Sequence, residues 1–304
     1  MNELYYSADR YWRERFAGQK ILKIPLNAGF SCPNKDGTLS TSGCIFCDPL
    51  GAGPLQTNSL TLEKQIVCFI AAHPGKKYVA YFQAHSNTYA PVAELKKKFS
   101  AIFSFPDILG LSIGTRPDTI NKDVLALLGQ LRQRTYVAVE LGLQSVHDRS
   151  LRFLNRNHSY AQFLTACDQL RSQRIDIIVH LILGIPGEKP EDVWATVAEM
   201  NRLQPAGIKV HPLHVLRETP LFEIYQQGKI TLLTKEEYIA LLIGVIERLR
   251  PEIAIHRLTG ERERQLFHAP KWALNKWDVL HSLHRKMKEK ATHQGRLFLA
   301  AGAR

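Results

Sequence analysis

Apolar runs of eight to ten residues alternate with amphipathic stretches along most of the chain. The runs are rich in Val, Ile and Leu, which predicts strands buried on both faces of a parallel sheet. The six predicted strands span residues 21–30, 77–84, 108–115, 136–145, 176–185 and 207–215. The five helices predicted between them span residues 60–72, 91–104, 119–132, 160–172 and 190–203.

The spacing of these elements predicts the architecture. From the second strand onward a strand starts about every 30 residues, the length of one strand–helix unit. We therefore expect an α/β fold, a partial (β/α)6 barrel of the TIM type. Residues 1–20 are expected to form an N-terminal strap, 21–225 the barrel, and 226–304 a basic, helical C-terminal cap. Active sites of such barrels lie at the carboxyl ends of the strands.

Three of the five cysteines lie close together after the first predicted strand. Cys32, Cys44 and Cys47 have the spacing C-x11-C-x2-C, in a loop rich in Gly, Asn, Asp and Ser. Five cysteines are too few for a disulfide scaffold of this size and indicate metal binding or catalysis. A zinc site completed by histidine, a redox C-x-x-C pair and a 4Fe-4S cluster with one open iron all stay possible. Cys68 and Cys167 are interpreted as buried helix residues.

Short motifs follow the predicted strands in order. They are Cys44–Cys47 (CIFC), Ser86–Tyr89 (SNTY), Thr115–Asp118 (TRPD), Glu140–Ser145 (ELGLQS), Arg156–His158 (RNH), Gly184–Gly187 (GIPG), Lys209–Pro212 (KVHP) and Arg217–Leu221 (RETPL). These motifs resemble those of the radical S-adenosylmethionine (SAM) superfamily. More narrowly, the sequence resembles the radical SAM half of the elongator catalytic subunit and its small YhcC-like branch. The first cysteine gap is longer than the common x3 spacing, and SNTY stands where that family has Gly-Gly-Thr-Phe.

The resemblance implies a 4Fe-4S cluster, held by Cys32, Cys44 and Cys47, whose fourth iron binds SAM. It implies reductive cleavage of SAM to a 5′-deoxyadenosyl radical, with an electron from a donor such as flavodoxin or ferredoxin. The cofactor-binding residues that it implies are Phe46 at the adenine, Ser86, Asn87 and Thr88 at the methionine amino group, Arg156 at the methionine carboxylate, Gln144, Ser145 and His180 at the ribose, and Gly184 and Gly187 at the adenine edge.

Further titratable residues lie near the same strand ends. Glu140 is interpreted as a barrel-lining carboxylate paired with Lys209 or Arg116, because a buried charge needs a partner. The sequence does not choose among several candidate proton or hydrogen donors. These are His85, Tyr89, His211 and His214.

The charge is unevenly distributed along the chain. Forty Lys and Arg against 28 Asp and Glu give a net charge of +12, which favours a polyanionic partner. Residues 256–304 hold eleven Lys and Arg against four Asp and Glu, more than half of the surplus. Residues 271–291 predict an amphipathic helix that docks through Ala273, Trp277 and Met287. The candidate RNA-binding residues on its other faces are Lys271, Lys276, Arg285, Lys286, Lys288 and Lys290.

These observations lead to three functional hypotheses. The first is a radical SAM enzyme that modifies tRNA at a wobble uridine side group. The second is a radical SAM enzyme acting on a small metabolite or a peptide, and the third is a non-catalytic, zinc-stabilised RNA-binding module. No apolar run reaches the roughly 18 residues of a membrane span, and the N-terminus lacks the apolar core of a secretory signal. We therefore expect a cytoplasmic protein with no membrane partner.

Overall fold

The structure, a computed structural model, describes residues 3–48, 51, 59–260 and 264–298. Its main sheet contains β1 (Ile21–Leu26), β2 (Lys77–Phe82), β3 (Ile108–Thr115), β4 (Tyr136–Gln144), β5 (Asp176–Leu183), β6 (Gly207–Pro212) and β8 (Ala254–Arg257). All neighbours pair in parallel, in the order β1-β2-β3-β4-β5-β6-β8. Two short strands, β7 (Val215–Leu216) and β9 (Phe267–Ala269), form a separate antiparallel pair.

Helices follow the strands and bury their apolar sides against the sheet. The helices are α1 (Ala8–Arg15), α2 (Leu62–Ala72), α3 (Val92–Ser100), α4 (Lys122–Arg132), α5 (Asp148–Phe153), α6 (Tyr160–Ser172), α7 (Pro190–Leu203), α8 (Pro220–Gln226), α9 (Lys235–Arg248) and α10 (Lys276–Glu289). Short 3-10 turns occupy Ala101–Ser104, Pro117–Thr119 and Lys271–Leu274. Across the ranges described, no helix has both the length and the apolar character needed to cross a bilayer.

The predicted strand–helix order is confirmed, and where a predicted strand or helix differs from the observed one, the difference lies at its ends. Helices α6 and α7 match their predicted bounds to the residue, and α6 begins with a capping box between Ser159 and Gln162. Strand β1 ends four residues early because the Asn27 side chain accepts the Gly29 N–H and Gly29 turns the chain with a φ of 74°. The sheet is therefore the predicted partial barrel with shorter strands and longer loops.

A seventh strand lies within the predicted C-terminal cap, so the cap is not only helical. β8 pairs with β6 in parallel, with Ala254 opposite Gly207 and Arg257 opposite Lys209. This strand was not predicted because four residues ending in His-Arg give neither an apolar run nor an alternation. The strand places Arg257 beside the residues of the barrel interior.

The N-terminal strap packs against the two edge strands of the sheet. Ile255 donates its backbone N–H to the Tyr6 carbonyl at 2.8 Å, and Tyr11 and Trp12 are buried in an apolar cluster with Ala254 and Ile21. Tyr11 donates its hydroxyl to Asp176 at 2.7 Å, where β5 begins. The strap therefore covers the end of the sheet opposite the cysteine loop.

Two side-chain placements predicted from the sequence are wrong. Trp277 is 67% exposed, and α10 docks through Val279, Leu283 and Met287. At 100° per residue this buried face is turned by roughly a quarter of the circle from the predicted one, since two buried aliphatic residues outweigh one amphipathic Trp. Cys68 is exposed because α2 packs through Leu62, Gln65 and Ile66, whereas Cys167 is buried as predicted.

The docking face of α10 can be tested with one pair of variants. Leu283→Ala removes a fully buried side chain and is expected to lower the free energy of unfolding by about 2–5 kcal/mol. Trp277→Ala removes an exposed side chain and is expected to change that free energy by less than about 0.5 kcal/mol. Urea unfolding followed by circular dichroism gives both values, and a larger loss for Trp277→Ala than for Leu283→Ala would contradict the assigned face.

Candidate active site

The three cysteines of the predicted cluster lie in the loop after β1, at the carboxyl end of the sheet. Lys35 donates its backbone N–H to the Cys32 carbonyl at 2.8 Å, and Cys47 donates to the Cys44 carbonyl at 3.0 Å. Cys44 is buried, while Cys32 and Cys47 are half-buried. All three line one cavity, so two tight turns of the loop bring widely spaced thiols to a common space.

This cavity encloses a volume of about 140 Å³ and is open to solvent at its mouth. The residues predicted from the sequence that line it are Cys32, Cys44, Cys47, Phe46, Gln144, Arg156 and His180. Further lining residues with polar side chains are Lys35, Tyr81, Gln83, His85, Thr115, Arg116, Glu140, His211 and Arg257. Of the four candidate proton or hydrogen donors, His85 and His211 are thus at the cavity, whereas Tyr89 lines a neighbouring groove.

Arg156 connects the cysteine loop to the rest of the barrel. Its Nη1 lies 3.1 Å from the Cys44 Sγ, its Nη2 donates to the Gly142 carbonyl, and its Nε donates to His158 Nε2 at 3.2 Å. It is flanked by two Asn residues whose backbone is in the left-handed region, Asn155 with a φ of 51° and Asn157 with a φ of 49°. Asparagine tolerates this conformation better than most residues, so the sequence can turn Arg156 toward the thiol.

Asn34 is a site residue that the sequence analysis missed. It is fully buried, and its amide donates to the Cys44 Sγ at 3.4 Å and to the Asn155 carbonyl at 2.7 Å. Its own carbonyl accepts from Asn157 at 2.6 Å. An Asn between two cysteines in a polar loop has no sequence signal that separates it from an ordinary turn residue.

The three residues predicted to contact the methionine amino group are not among the described residues that line the cavity. Ser86, Asn87 and Thr88 are buried, and the two hydroxyls bond within a cluster that includes Thr115 and Thr119. The Asn87 amide donates to three carbonyls at the ends of β2 and β3. These groups shape the strand ends, and their contact with a cofactor stays a prediction.

The remaining predicted cofactor contacts also have structural partners. Ser145 donates its hydroxyl to Glu188, and Gly187 is exposed. Gly184 has a φ of 80°, and a Cβ there would lie 2.8 Å from a Leu233 methyl group. Close packing and backbone conformation therefore account for Gly184 without a ligand. Contact of Ser145, Gly184 and Gly187 with SAM stays a prediction.

The floor of the cavity holds a buried carboxylate. Glu140 accepts hydrogen bonds from Lys23 and Lys209, from Ser112 at 2.6 Å and from His180 Nε2 at 2.7 Å. Burial alone would raise the pKa of Glu140, but the two ammonium groups and His180 hold it well below its usual value. The predicted pairing of Glu140 with Lys209 is confirmed.

Arg116 and His180, two further residues that line the cavity, also have defined hydrogen-bond partners. Arg116, the alternative partner considered for Glu140, instead forms a two-pronged pair with Asp118, both bonds at 2.9 Å. Burial lowers the pKa of His180 to about 4, so its ring is neutral near pH 7 and donates one N–H to Glu140.

The arrangement of the thiols bears on what they can bind. Among the described residues, no three His, Cys, Asp or Glu side chains converge as the donors of a single metal ion. A zinc ion holds its donors at about 2.0–2.3 Å and therefore needs such convergence. The cysteines of a 4Fe-4S cluster each bind a different iron and are spaced farther apart.

Comparison with known sequences identifies the family. A profile of the Radical SAM superfamily matches residues 37–200, and a profile of the radical SAM C-terminal domain matches residues 205–289. The chain is 37% identical over 299 residues to the uncharacterized protein YtqA of Bacillus subtilis, covering 97% of this chain and 92% of that protein. It is 34% identical over 274 residues to protein YhcC of Escherichia coli, covering 90% and 89%.

This chain belongs to the radical SAM superfamily. It is a radical SAM enzyme, and its cofactors are a 4Fe-4S cluster and SAM. The fold agrees with that of Elp3 from the archaeon Methanocaldococcus infernus, with a TM-score of 0.64, 17% identity, and coverage of 90% of this chain and 64% of that one. Membership in a family of enzymes is contrary to the hypothesis of a non-catalytic zinc module.

The residues present fit these cofactors. Besides the three thiols, the cavity is lined by three residues with a buried polar atom that has no hydrogen-bond partner, namely Arg116 Nη1, Gln144 Oε1 and Arg257 Nε. Gln144 also has a φ of 79°, an unfavourable conformation that a non-glycine residue retains only where its surroundings impose it. Unused donors and an unused acceptor in one cavity match a ligand with both a carboxylate and hydroxyl groups.

The bond between Arg156 and His158 predicts how stability depends on pH. His158 Nε2 accepts from a guanidinium and must be unprotonated, and burial together with Arg156 and Arg116 lowers the pKa of His158 to about 2. The unfolded chain binds a proton there below about pH 6.5, so stability is lost as pH falls from that value. His158→Gln is expected to reduce the slope of unfolding free energy between about pH 6 and 4 by roughly 1.4 kcal/mol per pH unit.

Urea unfolding at a series of pH values measures this slope for the wild type and for His158→Gln. Above about pH 7.5 neither the folded nor the unfolded state takes up a proton at this position, so the two slopes agree there and provide an internal control. Equal slopes in the acid range would contradict a neutral, buried His158.

Proposed function

We propose that the protein is a radical SAM enzyme that modifies tRNA, with a wobble uridine side group as its target. Cys32, Cys44 and Cys47 hold the cluster, which when bound supplies the electron that cleaves SAM to a 5′-deoxyadenosyl radical. The observation that carries the proposal is the common cavity at the carboxyl ends of the strands, where all three thiols meet the other polar groups of the site. The electron comes from a reductant such as flavodoxin or ferredoxin.

The protein's own residues would hold and orient the cofactors. Arg156 and Asn34 donate to the Cys44 sulfur, which stabilises the thiolate and fixes its direction. Arg116 Nη1 is an unused donor for the methionine carboxylate, alongside the predicted role of Arg156. Gln144 Oε1 is an unused acceptor for a ribose hydroxyl, and Phe46 supplies an apolar face for the adenine.

Distant relatives support tRNA as the substrate. The tRNA uridine(34) acetyltransferase of Methanocaldococcus jannaschii is 26% identical over 137 residues, covering 44% of this chain and 25% of that protein. Elongator complex protein 3 of Mus musculus is 24% identical over 160 residues, covering 51% and 28%. The match covers only 25% and 28% of these two relatives. A shared radical SAM half therefore supports the proposal, but a shared overall reaction does not follow from it.

The basic face of α10 supports the same substrate and suggests how it lies. The helix starts beside α9, where Lys235 pairs with Asp278 at 2.9 Å. It ends near the start of β8, since Thr292 donates to Glu247 at the end of α9. Lys276 is therefore at the end nearer the cavity, and Lys290 lies ~21 Å along the axis. Exposed Trp277, one residue after Lys276, offers a face on which a base stacks.

The modified nucleosides of tRNA test the proposal. Cells that lack the gene are expected to lose or underproduce one tRNA nucleoside, measured by mass spectrometry of digested tRNA. Wild-type protein restores it, Cys68→Ser also restores it, and Cys44→Ser does not. Identical nucleosides with and without the gene, together with no tRNA affinity at low salt, would contradict the tRNA assignment and favour a small metabolite or a peptide.

Binding measurements on the purified protein give an independent readout. Neutralising Lys271 and Lys276 to Gln is expected to weaken tRNA binding and to reduce the slope of log affinity against log salt by up to roughly 2. A matched control neutralises two exposed lysines of α3, Lys96 and Lys97, and is expected to change neither value. The same comparison with Lys286, Lys288 and Lys290 shows whether RNA extends along the helix.

A further inference from the structure

Among the described residues, the guanidinium of Arg257 has no hydrogen-bond or ion-pair partner in the cavity that it lines. Its Nε is buried without a hydrogen bond. Arg257 is half-buried, and its buried Nε loses hydration without gaining a protein acceptor, which is unfavourable. An anionic ligand in the cavity would supply the missing acceptor.

The register of the sheet shows what surrounds Arg257. His180 of β5 lies opposite Lys209 of β6, which in turn lies opposite Arg257 of β8. Three neighbouring strands thus place a cationic or titratable side chain at one level of the barrel. His211, two positions beyond Lys209, lines the same cavity one layer nearer its mouth.

The charges at this level do not balance. Glu140 is the one carboxylate among the described lining residues of the cavity, and it already accepts from both Lys23 and Lys209. Within the described part of the chain no carboxylate pairs with Arg257, whereas Arg116 is neutralised by Asp118. The cavity floor therefore carries a positive surplus that an anionic group would neutralise.

The surplus is separate from the groups that face the cysteines. Arg156 contacts Cys44, and the charge of Arg116 acts on Cys32 and Cys44. Arg257 instead extends the row through Lys209 and His180 on the last strands of the sheet.

We propose that Arg257 binds an anionic group of the substrate, a phosphate or a carboxylate, and so determines which molecules enter the cavity. A planar guanidinium suits both groups, because it offers two parallel N–H donors to two oxygens. The proposal rests on the proposed use of this cavity for radical SAM chemistry, but it does not require that the substrate be tRNA.

The test measures anion binding by the cluster-loaded protein with SAM present. Inorganic phosphate and acetate are titrated separately by isothermal calorimetry, and the anion that binds more tightly identifies the class. Arg257→Gln is expected to raise the dissociation constant of that anion at least tenfold, and Arg257→Lys, which keeps the charge without the fork, to raise it by less. The control Arg202→Gln alters an exposed guanidinium on α7 and is expected to leave the constant within twofold.

The amounts of cluster and SAM bound by each variant are measured on the same samples. Iron content, visible absorption and the SAM dissociation constant are expected to stay within twofold of wild type in Arg257→Gln. The inference is overturned if neither anion binds, if Arg257→Gln binds the anion as the wild type does, or if that variant instead loses SAM. A wild-type protein that takes up neither cluster nor SAM would contradict the proposed function, whereas normal loading without anion binding contradicts only the role of Arg257.

Discussion

The buried carboxylate of Glu140 is the interaction on which the shape of the barrel interior depends. It lies on β4 and accepts bonds from Lys23 on β1, Ser112 on β3, His180 on β5 and Lys209 on β6. One anion thus draws together side chains from five strands of an open sheet. Because these groups are fully committed to each other, they form a fixed polar floor, and the space above that floor is where chemistry can occur.

The cysteine loop depends on a second set of bonds, which join it to the opposite side of the cavity. Asn34 and Arg156 both donate to Cys44, and they are linked to each other through Asn155 and Asn157. The neutral ring of His158 accepts a hydrogen bond from the Nε of Arg156 and so fixes the orientation of its guanidinium. The loop has eleven residues between its first two cysteines, and these hydrogen bonds fix its position at Cys44, the most buried of the three thiols.

Much of this arrangement could be predicted from the sequence because it follows from local signals. Apolar runs gave the six strands, and strand-end motifs gave Cys32, Cys44 and Cys47 at one end of the sheet. Long-range pairing gave no such signal: β8 is short, Asn34 looks like a turn residue, and the isolation of Arg257 depends on which carboxylates lie nearby. The exposure of Trp277 was missed because a helical wheel cannot rank two overlapping apolar faces.

The central claim is that three protein thiolates hold a cluster whose remaining iron is open to SAM. The most direct measurement is the electron paramagnetic resonance spectrum of the reduced, reconstituted protein with and without SAM. We expect SAM to change the spectrum of the wild type and of Cys68→Ser, and Cys44→Ser to give no comparable cluster signal. A wild-type spectrum that is indifferent to SAM, or an intact cluster in Cys44→Ser, would contradict this account.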